Sequence, residues 1–388
     1  MTMTSQTGAP SRASTTIVVV AAALMSLGVV MVLSASASLT GRGLLDEPLR
    51  RPELRQAAFA AAALLVLLAV GSVSYERWRI RPGSGWQPAV ALLAVAVVLC
   101  TIVLIPGIGT VRNGARRWLA AGPGWLGLGF QPSEAAKLAL VVFLAAWSAW
   151  RGPRMRTFFG GLLPGLLVIG VLAALVGKED FGTAVLLGAV GAGVLLASGC
   201  RVWQLALFAV PGVAGLAALI VMEPYRLERI TGFLNIWDDP LGSGYHPVQS
   251  LITIASGGWW GVGLGAGVQK YGYLPEARSD FIFAVVCEEL GLVGGAAVIA
   301  LYFVLLWQAR RTYLTAPDDL GRLLALGAAL TIGLQAALNI AVVTVSVPTK
   351  GIALPFLSAG GSGVLLLGAL VGILVNVARH RTRAELPG

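Results

Sequence analysis

Charged residues are scarce in this chain. Of its 388 residues, 12% are Asp, Glu, Lys or Arg, whereas 57% are hydrophobic. A typical soluble domain carries roughly twice that share of charge, about 25%. The composition therefore excludes an ordinary soluble globular domain and places most of the chain in lipid.

Cysteine and histidine are also scarce. The three cysteines lack CxxC spacing, and two histidines far apart in sequence do not make a histidine-based metal site. The chain has no HExxH and no GxxxxGK[ST] motif. GVGLGAG at 261–267 lacks the strand-then-helix context of a dinucleotide-binding loop, so we expect a flexible or close-packed turn there.

Long apolar runs are abundant instead. Ten of them are long enough to cross a bilayer core of about 30 Å, and they lie at 16–36, 56–75, 87–106, 133–150, 158–177, 181–198, 202–222, 281–307, 321–345 and 356–378. Backbone groups find no water in lipid, so each run is predicted to be a helix. The predicted fold is an all-α polytopic integral membrane protein, with about ten transmembrane helices in one domain over 1–388.

The first run resembles a signal peptide, because Arg12 precedes it and SASAS at 34–38 resembles a cleavage site. Its length favours an uncleaved helix. Ten spans then put both termini on one side, which we take as cytoplasmic because the basic residues there lie close to helix ends. The formal charge of +10 follows partly from this topology and does not indicate nucleic-acid binding.

Two polar islands interrupt the apolar pattern. Residues 223–280 form a predicted large extracytoplasmic loop between the seventh and eighth helices, and 247–264 within it suggests an interfacial or re-entrant helix. The second island, 110–137, combines arginines with tryptophans that could serve only as an interface belt. Glu134 and Lys137 are three residues apart, so they can pair, either as a plain salt bridge or as the brace of a substrate cavity.

Four acidic residues occupy LPEARSDFIFAVVCEEL at 274–290. Ser279 or Asp280 could simply cap the eighth helix. Glu288 and Glu289 lie more than two turns further in, where capping does not explain them. We expect them to be buried anchors, paired or hydrogen-bonded inside the bundle.

Six motifs together resemble the FtsW/RodA/SpoVE family, the SEDS proteins of bacterial cell-wall growth and division. In chain order they are NGARRW (113–118), QPSEAAK (131–137), DFGTA (180–184), DPLGSGYH (239–246), LPEARSDFIFAVVCEELG (274–291) and PTKGIALPFLSAGGS (348–362). PTKG and QKYGYLPE are more similar to the division-type FtsW branch than to RodA. This chain departs from the family pattern at Lys178-Glu179 and at Ala359, where the family has Gln-Pro or Glu-Pro and Tyr, respectively.

The resemblance implies a peptidoglycan glycosyltransferase that polymerises lipid II with inversion at the outer face of the bacterial inner membrane. It implies that Asp280 is the catalytic base or a metal ligand, with Mg²⁺ or Mn²⁺ as the expected ion. It also implies a class B penicillin-binding transpeptidase as partner, the nascent glycan strand as second substrate, and other divisome or elongation proteins nearby, possibly at the septum. The residues expected to bind substrate are Arg112, Arg116, Arg117, Trp118, Glu134, Lys137, Arg278 and Lys350.

Two other classes of function stay open from the sequence. A lipid II flippase needs a path across the bilayer, which Lys137, Glu288 and Glu289 could line. A non-catalytic scaffold for division proteins would tolerate replacement of Asp280.

Overall fold

A computed structural model describes residues 11–36, 52–83, 85, 87–112, 114–120, 129–222, 229 and 232–380. Within these ranges lie eleven α-helices: α1 Arg12–Ser36, α2 Pro52–Ser72, α3 Pro88–Ile102, α4 Pro132–Arg151, α5 Leu163–Gly177, α6 Phe181–Ala197, α7 Val202–Val221, α8 Tyr245–Gly257, α9 Ile282–Thr315, α10 Asp319–Val343 and α11 Gly361–Arg379. The same ranges contain three short strands: β1 Gly109–Arg112, β2 Ala115–Ala120 and β3 Gly129–Phe130.

The helices place the protein in a membrane. In the described ranges, seven helices are long and apolar enough to cross a bilayer, at the positions of α1, α2, α4, α5, α9, α10 and α11. Shorter apolar helices stand at α3, α6 and α7, where the other three spans are predicted. The polytopic helical class is confirmed, and the count of ten spans stays a prediction.

Both described ends of the chain lie at one end of the bundle. Ser11 Oγ donates a hydrogen bond to the carbonyl of Ala378 at 2.9 Å, so the start of α1 lies beside the end of α11. A chain that crosses the membrane an even number of times has both ends on the same side. We call this the terminal end; the opposite end, where α2, α4, α6, α9 and α11 begin, is the cavity end.

Small residues bring α2 and α11 into backbone contact. A Cβ at Gly368 would lie 2.6 Å from the carbonyl oxygen of Ala63, and one at Gly372 would lie 2.7 Å from that of Leu67. Close approach through small residues is how membrane helices gain packing contacts without a hydrophobic driving force. Gly368 and Gly372 therefore allow the two helices to pack at close range.

The island at 110–137 contains a small sheet that the sequence did not predict. Its strands are antiparallel in the order β1-β2-β3, with Thr110 opposite Trp118 and Leu119 opposite Phe130. Gly114 turns the chain between β1 and β2 at φ 75°, a region that glycine adopts without strain. The sheet lies at the cavity end, between α3 and α4, rather than within a predicted span.

Helix α9 is broken at Gly291, whose φ of 71° and ψ of −173° are non-helical. The segment after α8 pairs with the break. The amides of Leu292 and Val293 donate to the carbonyls of Gly258 and Trp259, and those of Val262 and Gly263 donate to the carbonyls of Glu288 and Glu289. This pairing satisfies the backbone groups that the break releases, and irregular backbone at membrane depth needs such satisfaction.

The predicted re-entrant or interfacial segment at 247–264 therefore consists of α8 and the glycine-rich turns that follow it, which pair with α9. The GVGLGAG motif belongs to it, and Gly261 lies so close to α9 that a Cβ there would be 2.2 Å from the carbonyl oxygen of Glu289. The prediction of a close-packed turn is confirmed.

Candidate active site

A cavity of about 660 Å³ opens at the cavity end of the bundle. Its wall comes from α2, β2, α4, α6, the C-terminal half of α10 and the segments that precede α9 and α11. Six of the predicted site residues line it: Arg117, Trp118, Glu134, Lys137, Arg278 and Asp280. Residues from five of the six sequence motifs line this cavity, although Arg117 and Gly361, the first and last of them, are 244 positions apart in the sequence.

Glu134 and Lys137 form an ion pair on the first turns of α4. Lys137 Nζ lies 2.7 Å from Glu134 Oε2, and the two side chains are 5% and 12% exposed, respectively. Gln131 precedes the helix and Pro132 begins it, a position where the missing proline N–H costs nothing. Lys137 Nζ also donates to Gln335 Oε1 of α10 at 2.7 Å, and Gln335 Nε2 donates to the carbonyl of Ala353. The predicted pair is confirmed, and it faces the cavity.

Asp280 lies two residues before the start of α9 and does not cap it. The N-cap residue is Phe281, and no side-chain hydrogen bond caps the helix. Ser279 Oγ instead donates to Glu276 Oε2 at 2.8 Å. The interpretation of Ser279 or Asp280 as a helix cap is wrong, since the residues before α9 form a turn that directs Asp280 into the cavity.

The backbone and surroundings of Asp280 hold its carboxylate in place. Asn339 Nδ2 donates to the Asp280 carbonyl at 2.8 Å and to the carbonyl of Ile352 at 2.7 Å. A Cβ at Gly351 would lie 3.0 Å from Asp280 Oδ2, a tight contact, so a larger residue at 351 would press on the carboxylate.

The pKa of Asp280 is raised to about 7, chiefly by burial and to a lesser extent by the negative charges of Glu276 and Asp180. Arg117 and Arg229 oppose this rise. A carboxylate of this kind can accept a proton near neutral pH, where an ordinary aspartate is too weak a base.

Asp180, which the sequence reasoning did not single out, lies in the cavity wall at the start of α6. Its Oδ1 accepts from the amide of Thr183 at 3.0 Å and its Oδ2 accepts from Thr183 Oγ1 at 2.8 Å, so it caps the helix. The Asp-x-x-Thr spacing in DFGTA was the available signal. Glu276, Gln56 and Gln335 also line the cavity and were also missed.

Lys350 lies behind this wall rather than in the cavity lining. Its Nζ stands 4.5 Å from the centroid of the Phe181 ring. Burial lowers the pKa of Lys350, and the charge of Asp180 opposes the change. Lys350 is half-buried, and its charge acts on Asp180 of the cavity wall.

The predicted arginines separate into different positions. Arg117 lines the cavity, and its Nε donates to the carbonyl of Glu179 at 2.6 Å. Arg116 turns away and donates from Nη1 to the carbonyl of Leu104 at 3.4 Å, outside the cavity lining. The side chain of Arg112 lies outside the described residues.

The two departures from the family pattern both support the wall. Glu179 Oε2 accepts from the amide of Arg116 at 2.7 Å, which ties β2 to the start of α6. The Ala359 amide donates to the carbonyl of Arg278 at 2.8 Å, a backbone contact that needs no tyrosine side chain. Trp118 packs on Gly129, where a Cβ would lie 2.9 Å from Trp118 Cε3.

Glu288 and Glu289 lie outside the cavity lining and are 2% and 1% exposed. Glu288 accepts hydrogen bonds from backbone amides, and Glu289 forms an ion pair with Lys270. The prediction that both are buried anchors is confirmed.

The donor set at the cavity does not form a metal site built by the protein alone. No three His, Cys, Asp or Glu side chains among the described residues are grouped to hold an ion. Asp280 as a metal ligand, with Mg²⁺ or Mn²⁺, stays a prediction from the resemblance. The residues present offer a proton acceptor at Asp280, and the same cavity is lined by Arg117 and Arg278, whose guanidinium groups suit an anionic ligand.

The comparison with protein families decides which family this is. The model of the FtsW/RodA/SpoVE family, described as cell cycle protein, matches residues 14–383. The chain belongs to this family.

Relatives and solved structures of the FtsW/RodA/SpoVE family cover almost the whole chain. Stage V sporulation protein E of Bacillus subtilis (strain 168) is 37% identical over 365 residues, 94% of this chain and 96% of that protein. The "Probable peptidoglycan glycosyltransferase FtsW" of Thioalkalivibrio sulfidiphilus is 43% identical over 367 residues, 94% of this chain and 88% of that protein.

Two solved structures share the fold. One belongs to a study of structural coordination of polymerization and crosslinking by a peptidoglycan synthase complex, with a TM-score of 0.73, 28% identity and coverage of 95% of this chain and 98% of that chain. The other is the rod shape determining protein RodA of Thermus thermophilus, with a TM-score of 0.64, 26% identity and coverage of 95% and 97%. The site described above therefore belongs to a fold that these proteins share.

Proposed function

We propose that this protein is a peptidoglycan glycosyltransferase that polymerises lipid II into glycan strands. The observation that carries the proposal is Asp280, a carboxylate with its pKa raised to about 7, placed in a large cavity whose lining also includes Arg117 and Arg278. Family membership and the names of the relatives support the same activity.

The proposed reaction is a single displacement with inversion. A sugar hydroxyl oxygen forms a bond to the anomeric carbon of a second lipid-linked sugar, while the bond from that carbon to the pyrophosphate oxygen breaks. The hydroxyl proton passes to the Asp280 carboxylate, which acts as general base. The electron pair leaves with the polyprenyl pyrophosphate, whose growing negative charge Arg117 and Arg278 stabilise.

Glu134 and Lys137 have a different part in this proposal. They are already paired with each other, and Lys137 also binds Gln335, so neither is a free acid or base. They brace the floor of the cavity, and Trp118 offers a ring for apolar or sugar contacts at its wall. Arg112, Arg116 and Lys350 stay predicted substrate-binding residues.

The orientation and partners are part of the proposal. The cavity end faces outward from the bacterial inner membrane and both termini are cytoplasmic, which agrees with the basic residues near the terminal-end helix boundaries. The partner is a class B penicillin-binding transpeptidase; the synthase complex that couples polymerization and crosslinking in a similar structure supports this. The resemblance of PTKG and QKYGYLPE to the FtsW branch supports a role at the septum.

Replacement of Asp280 tests the proposal. Asp280→Asn keeps the size of the side chain and removes the basic oxygen, so we expect glycan synthesis from labelled lipid II to fall by at least about a hundredfold, the lower range for lost general acid–base catalysis. Asp238→Asn, an exposed aspartate in the same loop, is the matched control and should keep its activity. Thermal unfolding of both purified variants shows that they are folded.

A near-normal rate for Asp280→Asn would overturn the proposed mechanism. If the protein were a flippase, the Asp280→Asn variant would still move labelled lipid II across liposome membranes. Neither the variant nor the unchanged protein would then make glycan. A scaffold would make no glycan and keep its binding to the transpeptidase.

A further inference from the structure

An ion pair lies buried behind the cavity, and the proposed reaction does not use it. Lys270 Nζ stands 2.7 Å from Glu289 Oε1, and both side chains are fully buried. The same ammonium group donates to Ser34 Oγ at 2.9 Å and to the carbonyl of Gly265 at 2.8 Å. All three donors of the lysine are therefore used, each in a different direction.

The two carboxylates of α9 bind the loop that contains Lys270. Glu289 Oε2 accepts from the amide of Gly265 at 3.0 Å, and Ser34 Oγ at the end of α1 donates to the same carboxylate. Glu288 Oε1 accepts from the amides of Val268 and Gln269 at 2.8 and 3.2 Å. We call Ser34, Lys270, Glu288 and Glu289 the neck.

The neck joins the two ends of the chain segment that contains Asp280. The chain leaves the neck at Lys270, passes through the cavity at Glu276, Arg278 and Asp280, and returns to the neck at Glu288. From Asp280 the return path is the first part of α9, Ile282–Leu290, which is buried along almost its whole length. A rigid segment of about nine residues thus links Asp280 to the two glutamates.

This segment is not continuous with the rest of α9. The non-helical backbone at Gly291 separates it from the remainder of the helix. Its position is therefore not inherited from the long membrane span. It is held by the neck and by the amides of Val262 and Gly263 at one end, and by Asn339, which binds the Asp280 carbonyl, at the other.

Stability alone does not explain why the neck is charged. A buried ion pair adds little stability compared with well-packed apolar residues of the same volume. Charged and hydrogen-bonded groups fix direction and distance more strictly than apolar packing does. The neck suits a role in which geometry matters more than stability.

We propose that Lys270 and Glu289 are positioning residues that hold Asp280 at its reactive place in the cavity. This proposal rests on the proposed function, because only a glycosyltransferase gives Asp280 a reactive position to keep. Its first test does not measure glycosyltransferase activity. Neither residue touches the cavity, so each acts through the segment Ile282–Leu290 and the loop before Asp280.

The first test reads the position of residue 280 directly. Asp280→Cys provides a thiol at the site. The three native cysteines are all buried, and their alkylation is measured as background in protein without this substitution. In full-length purified protein we compare alkylation of this thiol with the neck intact, with Lys270→Met, with Glu289→Gln and with the apolar double variant Lys270→Met/Glu289→Met. Arg79→Met, which breaks the ion pair with Asp318 at the terminal end, is the control.

We expect every folded neck variant to alkylate faster by about tenfold or more, since losing a buried hydrogen bond to a charged group shifts a local opening equilibrium by that factor. Arg79→Met should leave the rate unchanged. If a single variant loses its thermal transition, the double variant decides, because it leaves no unpaired charge. Unchanged alkylation in a folded double variant overturns the proposal, whatever its activity.

The second test uses the pH dependence of glycan synthesis with Asp280 present. The groups that act on its charge are Glu276 in the same loop, Asp180 of α6, Arg117 of β2 and Arg229. Burial raises the pKa of Asp280, so activity should rise with pH through about 7. A neck variant that exposes Asp280 lowers this pKa, and the acid limb moves to lower pH while the maximal rate falls.

A purely structural role would reduce the maximal rate without moving the acid limb, and that result overturns the proposal. The two proposals can fail separately. Near-normal glycan synthesis by Asp280→Asn would refute the proposed base and leave the alkylation result as a statement about geometry. Unchanged alkylation would refute the neck and leave the base intact.

Discussion

Lys137 is a buried cation with two acceptors in fixed positions. Glu134 compensates its charge from one turn away on α4, and Gln335 binds it from α10. Removal of one partner from a buried pair leaves an uncompensated charge, and this costs about 3–5 kcal/mol. Removal of Glu134 and Lys137 together leaves no such charge.

We therefore predict strong coupling between Glu134 and Lys137. Glu134→Ala and Lys137→Ala should each lower the unfolding temperature or the activity, and the double variant should lose less than the sum, with a coupling of about 0.5–3 kcal/mol. The measurement is a double-mutant cycle in detergent-solubilised protein. The Arg322–Asp319 pair, 3.9 Å apart and mostly exposed, is the control and should show little coupling. Strict additivity at Glu134 and Lys137 would contradict the prediction.

At this scale the sequence predicted what local spacing can encode. Glu134 and Lys137 are three residues apart, so their pairing follows from helix geometry. The bond from Lys137 to Gln335 joins residues 198 positions apart, and no local pattern indicates it. Asp280 was found through the family resemblance, whereas local chemistry favoured a helix cap.

Among the elements, α9 shows how tertiary pairing overrides an apolar pattern. Residues 281–307 read as one continuous span, yet the structure breaks the helix at Gly291. The break is stable because 258–263 supplies the missing hydrogen-bond partners from another part of the chain. Local sequence also failed to predict the small sheet at 109–130, because its strands are too short for a clear alternating pattern.

We predict that Gly291→Ala strongly destabilises the protein. Alanine at φ 71° is strained, and its Cβ would lie 2.3 Å from the carbonyl oxygen of Trp259. Gly188→Ala on α6 is the control: a Cβ there meets nothing within 4 Å, and alanine is the better helix former by about 1 kcal/mol. The unfolding temperature should fall for Gly291→Ala and rise for Gly188→Ala. Equal unfolding temperatures would mean that the Gly291 backbone relaxes into a regular helix.

For the whole molecule, the arrangement of the ends tests the proposed orientation. The hydrogen bond between Ser11 and Ala378 puts both described ends opposite the cavity. The placement of the termini on one side could be predicted from an even number of apolar runs. That five of the six motifs line one cavity could not be predicted, because their proximity depends on the packing of helices far apart in sequence.

Thiol labelling in intact cells measures this orientation. A cysteine at Leu241, which is 86% exposed in the loop between α7 and α8, should react with an impermeant reagent added outside. A cysteine at Arg154, in the exposed turn after α4, should react only after the cells are opened. The opposite pattern would put the cavity in the cytoplasm and rule out polymerisation at the outer face. Gly122, which the sequence also predicts to face outward, lies outside the described residues.

The neck also bears on how the ribosome and the insertion machinery produce this protein. A helix that brings Glu288 and Glu289 towards the middle of a bilayer is a poor substrate for insertion, with a cost of about 2.5–3.5 kcal/mol for each unpaired charge near the centre. Lys270 and the amides of Gly265, Val268 and Gln269 are synthesised just before these glutamates, and Ser34 is already in place. The acidic half of α9 can therefore enter the membrane with its compensating partners attached, before α10 and α11 have been translated.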